Sequence, residues 1–256
     1  MTVPVDTMMQ QAMAAVRAKP NDASARMQLF RLFLVTGQWE RALTQVDTAS
    51  SLDASLGFTS MVYKQAIACE RFRDEVFAGR RSPVVAGEPA QWLAMMVEAL
   101  RVQTAGGGGA AGAVTLRAQA LEDAPAVAGR LDGSAFEWIA DADSRLGPVC
   151  ECFIDGKYYW VPFDRIARIE IPEPDDVLDM VWAPAEVTFT TGGSKHVLMP
   201  VRYPGSEKSA DDGVRMSRVT QWAGDDESGW TGLGQRVWTT DASECGMLDV
   251  RVLELG

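Results

Sequence analysis

Histidine is almost missing: His196 is the only one in 256 residues. Any Ser-His-Asp or Cys-His relay would have to use it, and it lies in a predicted strand after Gly193 with no nucleophile pattern nearby. It reads as a surface or packing histidine. Cysteine is scarce as well. Cys69, Cys150, Cys152 and Cys245 are irregularly spaced, which in a chain of this size points to reduced thiols, as in a cytoplasm. Cys150 and Cys152 would share one face of a strand, yet no further Cys or His stands at ligand spacing to complete a four-ligand site. They are read as buried thiols, and no metal or cofactor is expected. Long apolar runs are lacking too: stretches such as Leu32 to Val35 are far too short to span a bilayer. The opening MTVPVDTMMQ carries Asp6 and no basic residue ahead of an apolar run, unlike a signal peptide. The expectation is a cytoplasmic protein without membrane insertion.

With 47% hydrophobic and 23% charged residues, the chain is composed like a globular protein and can bury a real core. Its net charge of −11 is unevenly spread. Residues 1–125 hold 12 Lys/Arg and 12 Asp/Glu, whereas residues 126–256 hold 12 and 23. A break of this kind predicts two separately built parts, a helical repeat-like domain over 1–125 and an acidic β-rich domain over 126–256. The acidity repels nucleic acid and anionic lipid, so neither is an expected partner.

The punctuation from Asn21 to Ala124 is helical. Asn21 or Asp22 can cap a helix whose apolar positions Ala25, Leu29, Leu32 and Phe33 recur at three and four. Gly37 ends it, and Trp39, Ala42, Leu43 and Val46 form the stripe of a second helix. The pair has the rhythm of a tetratricopeptide-like hairpin, with Ala42 where the helices cross. Further helices are predicted around Phe58–Ala78, Gln91–Val102 and Ala110–Glu122, the last after a glycine-rich loop at Gly106–Gly109. After Pro125 the period becomes two. VCECFIDGKYYWVPF alternates around Asp155-Gly156, a strong hairpin signal, and AEVTFTTGGSKHVLMPVRYP repeats it around Gly192-Gly193. QRVWTT and MLDVRVLEL add two more strands. The fold class is therefore α+β: a tetratricopeptide-like helical domain, then a compact antiparallel, barrel-like β domain.

Asp141 and Asp143 in WIADADSRLGP, with Gly224-Asp225-Asp226 much later, loosely resemble the acidic motifs of haloacid-dehalogenase-type phosphatases. A metal-dependent phosphatase-like hydrolase using Asp141 and Asp143 is therefore the alternative function. That chemistry gathers carboxylates at the ends of parallel strands joined by helical crossovers, whereas the intervening sequence reads as hairpins. The preferred reading is that the two aspartates shape a turn and pair with Arg145. No catalytic residue is assigned. Trp138, Trp160, Trp182, Trp222, Trp230 and Trp238 are read chiefly as core, and Arg145, Arg202 and Arg236 as internal carboxylate clamps or exposed anchors for a partner.

Several strings occur together in an order that resembles the ImpE/TagJ family, accessory proteins of bacterial type VI secretion systems. They are LFRLFLVTGQWERALTQVD, CERFRDEVFAGRRSP, FEWIADADSRLGPVCE, GKYYWVPFDRI, VWAPAEV, PVRYPGSE and GLGQR. The resemblance covers about Asn21 to Leu255 and departs in a short amino-terminal lead and the glycine-rich insertion. Trp138, Asp141, Asp143, Arg145, Gly147 and Pro148 belong to it as structural signature residues. It implies a non-enzymatic adaptor whose partners are the small subunit of the contractile sheath and the ClpV-type ATPase that recycles it. The residues themselves predict a platform for a partner helix on the amino-terminal half. Phe30, Phe33 and Trp39 lie on or beside the hairpin stripe, and Arg26 and Arg31 stand at its rim to meet carboxylates.

Overall fold

The computed structural model describes residues 3–85, 87–88, 90–105, 109–225 and 228–256. Helices dominate the first half: α1 (Val5–Ala18), α2 (Ala23–Val35), α3 (Trp39–Leu52), α4 (Gly57–Phe77), α5 (Gln91–Thr104) and α6 (Gly109–Asp123). The Asp22 carboxylate accepts the Ala25 amide at 3.1 Å and so caps α2. Gly37 adopts φ +65°, which lets the Gln38 amide reach back 2.8 Å to the Phe33 carbonyl and close the helix end. Ala42 is fully buried where α2 and α3 cross. The segment ahead of Asn21, read from sequence as a short lead, is helix α1. Its buried positions are Val5 and Ala12, and its stripe is mostly Met and Ala, which mark helical period weakly. No regular succession of two-helix units follows, because the 21-residue α4 runs between the α2–α3 and α5–α6 pairs. Of the glycine run, Gly106 to Gly108 lie outside the described residues, as does Asp226 of the late acidic triplet.

Strands follow Pro125, apart from β1 (Val84–Val85). They are β2 (Gly129–Leu131), β3 (Ser134–Phe136), β4 (Ile139–Asp141), β5 (Val149–Ile154), β6 (Lys157–Pro162), β7 (Ile166–Glu170), β8 (Trp182–Phe189), β9 (Ser194–Pro200), β10 (Thr220–Asp225), β11 (Gly229–Gly234), β12 (Val237–Thr240), β13 (Glu244–Gly246) and β14 (Val252–Leu255). A one-turn helix, α7 (Asp212–Arg215), precedes β10. Both predicted hairpins form. Asp155 and Gly156 take φ +49° and +73° between β5 and β6, and Gly192 and Gly193 take +85° and +87° between β8 and β9.

The large sheet runs β1-β6-β5-β9-β8-β7-β14-β2-β3, with β13-β12-β4 and β10-β11 as smaller sheets. No pairing among the described residues joins β1 to β3, so the sheet stays open and the expected barrel closure is absent. One face, carrying Phe153, Tyr158, Trp160 and Trp182, packs on the helices in a core that also holds Phe30, Phe33, Ile67 and Trp92. The other face buries Cys152, Val161, Ala185, Val197 and Leu253 with Trp238 in a second core. The helical half also donates β1, which lies parallel to β6 with Val84 opposite Tyr159.

Candidate functional site

Between the helices and the sheet runs a chain of buried charges. Strand β5 is buried throughout, and Glu151 sits in its middle without solvent exposure. Helix α4 lays Arg73 over it: Nε and one terminal nitrogen each lie 2.7 Å from a Glu151 oxygen. Arg73 also bonds Glu70 at 3.0 Å and the Arg202 carbonyl at 3.0 Å, while Glu70 accepts the Trp182 indole at 2.8 Å. On the far side Arg236 stands 3.4 Å from Glu151 and 2.8 Å from Asp141. Tyr158 donates its hydroxyl to Glu151 and accepts the Trp160 indole at 2.6 Å. Burial opposes the charges of both Arg73 and Glu151, yet Glu151 with Glu70 holds the guanidinium well above its ordinary range, and Arg73 with Arg236 holds the carboxyl below its own.

The segment WIADADSRLGP closes this chain. Asp141 Oδ1 accepts the Asp143 amide and the Tyr203 hydroxyl, each at 2.9 Å, and Oδ2 accepts Arg236 Nε at 2.9 Å. Asp143 receives the Arg145 amide and guanidinium and the Gly232 amide at 2.9 Å. Burial pushes the Asp141 carboxyl up to about 6 against the pull of Arg236, with Asp143 adding to the push. Gly147 takes φ +55° in the turn that returns its carbonyl to the Asp141 amide at 2.7 Å, ahead of Pro148. Trp138 is 39% exposed beside this turn. The pair reading of Asp143 with Arg145 therefore holds, and Asp141 takes Arg236 as its partner.

Every oxygen of Asp141 and Asp143 is thus engaged within the protein, and β4, which carries Asp141, pairs antiparallel with β12. This arrangement is not the open carboxylate cluster at parallel strand ends that phosphoryl chemistry uses. No group of three or more His, Cys, Asp or Glu suited to a metal occurs among the described residues. Cys150 and Cys152 are buried on one face of β5 with sulfurs 3.9 Å apart, and His196 is exposed on β9. Of the six tryptophans noted from sequence, Trp160, Trp182 and Trp238 are core, while Trp138, Trp222 and Trp230 are partly exposed. Arg236 and Arg145 are internal carboxylate clamps; Arg202 instead donates to the Leu34 and Val35 carbonyls that end α2.

The residues expected to receive a partner scatter into different roles. Phe30 and Phe33 are buried to within 1%, with Phe30 against Tyr63 and Phe33 beneath the Arg41 guanidinium at 4.2 Å. Trp39 stacks on Trp182 at 6.3 Å and fastens α3 to the sheet. These rings are core, because the first helical hairpin packs on both a neighbouring helix and the sheet. Arg31 forms an ion pair with Asp176 at 2.8 Å, and Arg26 bonds Pro20 and Gln45. What the helices leave open are two grooves beside α1. One, of about 320 Å³, is lined by Met13, Val16, Leu29 and Phe33, with the exposed Arg17 and Arg41 at its rim. The other, of about 390 Å³, lies between Met8, Ala12, Leu32 and Val177 beside Arg31. Sequence reading missed α1 and so missed both.

Comparison with known proteins places the fold and the sequence among relatives. A family model described as ImpE protein matches residues 133–254. The chain is 44% identical over 239 residues to the type VI secretion system accessory component TagJ of Pseudomonas aeruginosa, covering 93% of this chain and 83% of that protein. The crystal structure of protein VPA1032 from Vibrio parahaemolyticus superposes with a TM-score of 0.88 at 23% identity, over 98% of this chain and 94% of that one. At that identity the second likeness speaks for the fold alone.

Proposed function

The chain belongs to the ImpE/TagJ family, and from that premise we propose that it is a non-enzymatic accessory component of a type VI secretion system, acting in the cytoplasm by holding other proteins. Its partners on this reading are the small subunit of the contractile sheath and the ClpV-type ATPase. The observation that carries the proposal is the pair of grooves flanking α1, whose floors are methionine and aliphatic and whose rims are arginine. An amphipathic helix lays its apolar face into such a groove, and methionine adapts to its side chains. Exposed Arg17 and Arg41 would meet carboxylates on that helix, with Arg26 and Arg31 further along the rim. Phe33 closes the floor of the first groove, while Phe30 and Trp39, which line neither groove, would hold the helices that form it. We propose the same division of labour for the whole chain: residues 1–125 receive the partner, and residues 126–256 hold the helices in place.

Titration of the full-length protein with purified sheath small subunit tests this. Arg17→Glu/Arg41→Glu changes exposed side chains, so folding is retained, and the affinity should fall at least tenfold. Unchanged affinity in that variant would place the partner elsewhere. The hydrolase alternative has its own measurement: magnesium-dependent phosphate release that vanishes in Asp141→Asn would overturn the non-enzymatic reading.

A further inference from the structure

The helical layer covers only part of its sheet face. Beyond Phe153 and Trp182 the same face continues across β9, β8, β7 and β14, where Pro184, His196 and Glu170 are exposed, and two hollows run along it. The first, about 410 Å³, lies between the start of α4 and the sheet, bounded by Phe58, Met61, Phe153 and Leu198. The second, about 620 Å³, extends over Ile171, Ala185 and Val252. They share Pro184, His196 and Val197, so they form one trench. Phe58 stands at its head 73% exposed, the most exposed large apolar side chain of the described residues, with Met61 at 48% one helical turn on. Solvent is a poor environment for both.

The charges along the trench are unbalanced in a particular way. Glu186 on β8 lies directly opposite Glu170 on β7, and His196 lies opposite Glu186 on β9. Like charges directly opposite each other destabilise a sheet unless a cation intervenes. Arg168 pairs with Glu170 at 2.5 Å and with Glu254, but no cation lies within ion-pair distance of Glu186 among the described residues. At the head of the trench Asp155 is held by Lys195 at 2.9 Å, and at its far end Arg251 donates to backbone carbonyls. Within the lining, three carboxylates (Asp155, Glu170, Glu186) face one guanidinium, Arg251. An apolar head followed by a carboxylate with no ion-pair partner among the described residues, Glu186, is a complementary surface for a segment of opposite character.

We propose that this trench is a second protein-docking surface, taking a basic amphipathic segment whose aromatic or aliphatic residues cover Phe58 and Met61 and whose Lys or Arg pairs with Glu186. It lies apart from the α1 grooves and does not depend on the reading given for them. The charge also separates the two surfaces. An acidic helix suits the arginine rims beside α1, and a basic segment suits the trench.

The test pans a displayed library of random 16-residue peptides against the full-length protein, depleted on a Phe58→Ser/Glu186→Lys double variant. The variant is built to fold: Phe58 is largely exposed, and the Glu186→Lys change sets an ammonium opposite Glu170 in place of the like-charge contact. Its melting temperature should therefore equal or exceed that of the parent. Enriched peptides should share an apolar anchor followed by Lys or Arg and bind the parent at least tenfold more tightly than the variant, with affinity falling as salt rises. No sequence surviving depletion, or an acidic consensus, would overturn the proposal. So would concentration-dependent dimerisation that Phe58→Ser abolishes, since the trench would then belong to a second copy of this chain.

Discussion

Replacing Glu151 with glutamine changes one oxygen to an amide and almost nothing in volume, which makes it a clean probe of the buried charge chain. Glu151 has no solvent exposure, and its two oxygens receive two bonds from Arg73, one from Tyr158 and the approach of Arg236. In Glu151→Gln the amide turns a donor toward guanidinium donors, and among the described residues the only carboxylate partner left to Arg73 is Glu70 and to Arg236 is Asp141. Stripping the partner from a buried pair costs about 3–5 kcal/mol. For a chain of this length each kcal/mol moves the melting temperature by about 2–4 °C, so a fall on the order of 10 °C is expected. Urea unfolding followed by tryptophan emission reads it directly, since Trp160 and Trp182 adjoin the chain. A second variant separates charge pairing from packing. Arg73→Met/Glu151→Met removes both charges and fills similar volume, so it should lose less than Glu151→Gln alone. A loss below about 1 kcal/mol in Glu151→Gln, or a larger loss in the double variant, would refute the view that these groups hold the two layers together through paired charge.

Further expectations follow from the same geometry. Asp141 has its carboxyl raised from 3.8 to about 6, so the folded state holds a proton more tightly than the unfolded chain; its contribution to stability grows as pH falls from about 6 to about 4 and is flat above 7. The difference in unfolding free energy between parent and Asp141→Asn should follow that slope, by on the order of 2–3 kcal/mol. Glu151 acts oppositely: its carboxyl is held below 4.5, so its contribution is complete above that pH and is lost on further acidification. Gly232→Ala should destabilise by about 1–3 kcal/mol in thermal melts, because a Cβ there would stand 2.2 Å from the Tyr203 ring. Burial, aided by Glu70, pushes the Cys69 thiol up to about 12, and Cys150 and Cys152 have no exposed surface. A colorimetric thiol reagent should therefore reach at most Cys245 in the native protein and all four cysteines in urea.

The hairpins were legible because their turns are local: Asp155-Gly156 and Gly192-Gly193 fix φ angles that few other residue pairs adopt. So were the helix cap at Asp22 and the turn role of Asp141 and Asp143, which involve neighbours in sequence. Helix α1 was not, since Met and Ala at its stripe give a faint period. The charge chain was hidden for another reason: Arg73, Glu151 and Arg236 are separated by 78 and 85 positions, and no periodicity links them. One signal was present. A glutamate in the middle of the otherwise apolar run VCECFI has no reason to be there unless a cation waits for it inside.

The shared core also has a consequence for how the chain is made. Trp39, Phe72 and Phe77 of the helices pack on Trp182, Tyr158 and Trp160, residues that leave the ribosome well after the helices do. At about 5–20 residues per second, the roughly 100 residues between the end of α4 and Trp182 take on the order of 5–20 s to emerge. Throughout that interval the newborn helices carry an uncovered aromatic face. Abundance in the cell should therefore respond to translation speed and to chaperone supply. Rare codons placed between α6 and β8 would lower the yield of soluble protein without altering a single residue of it.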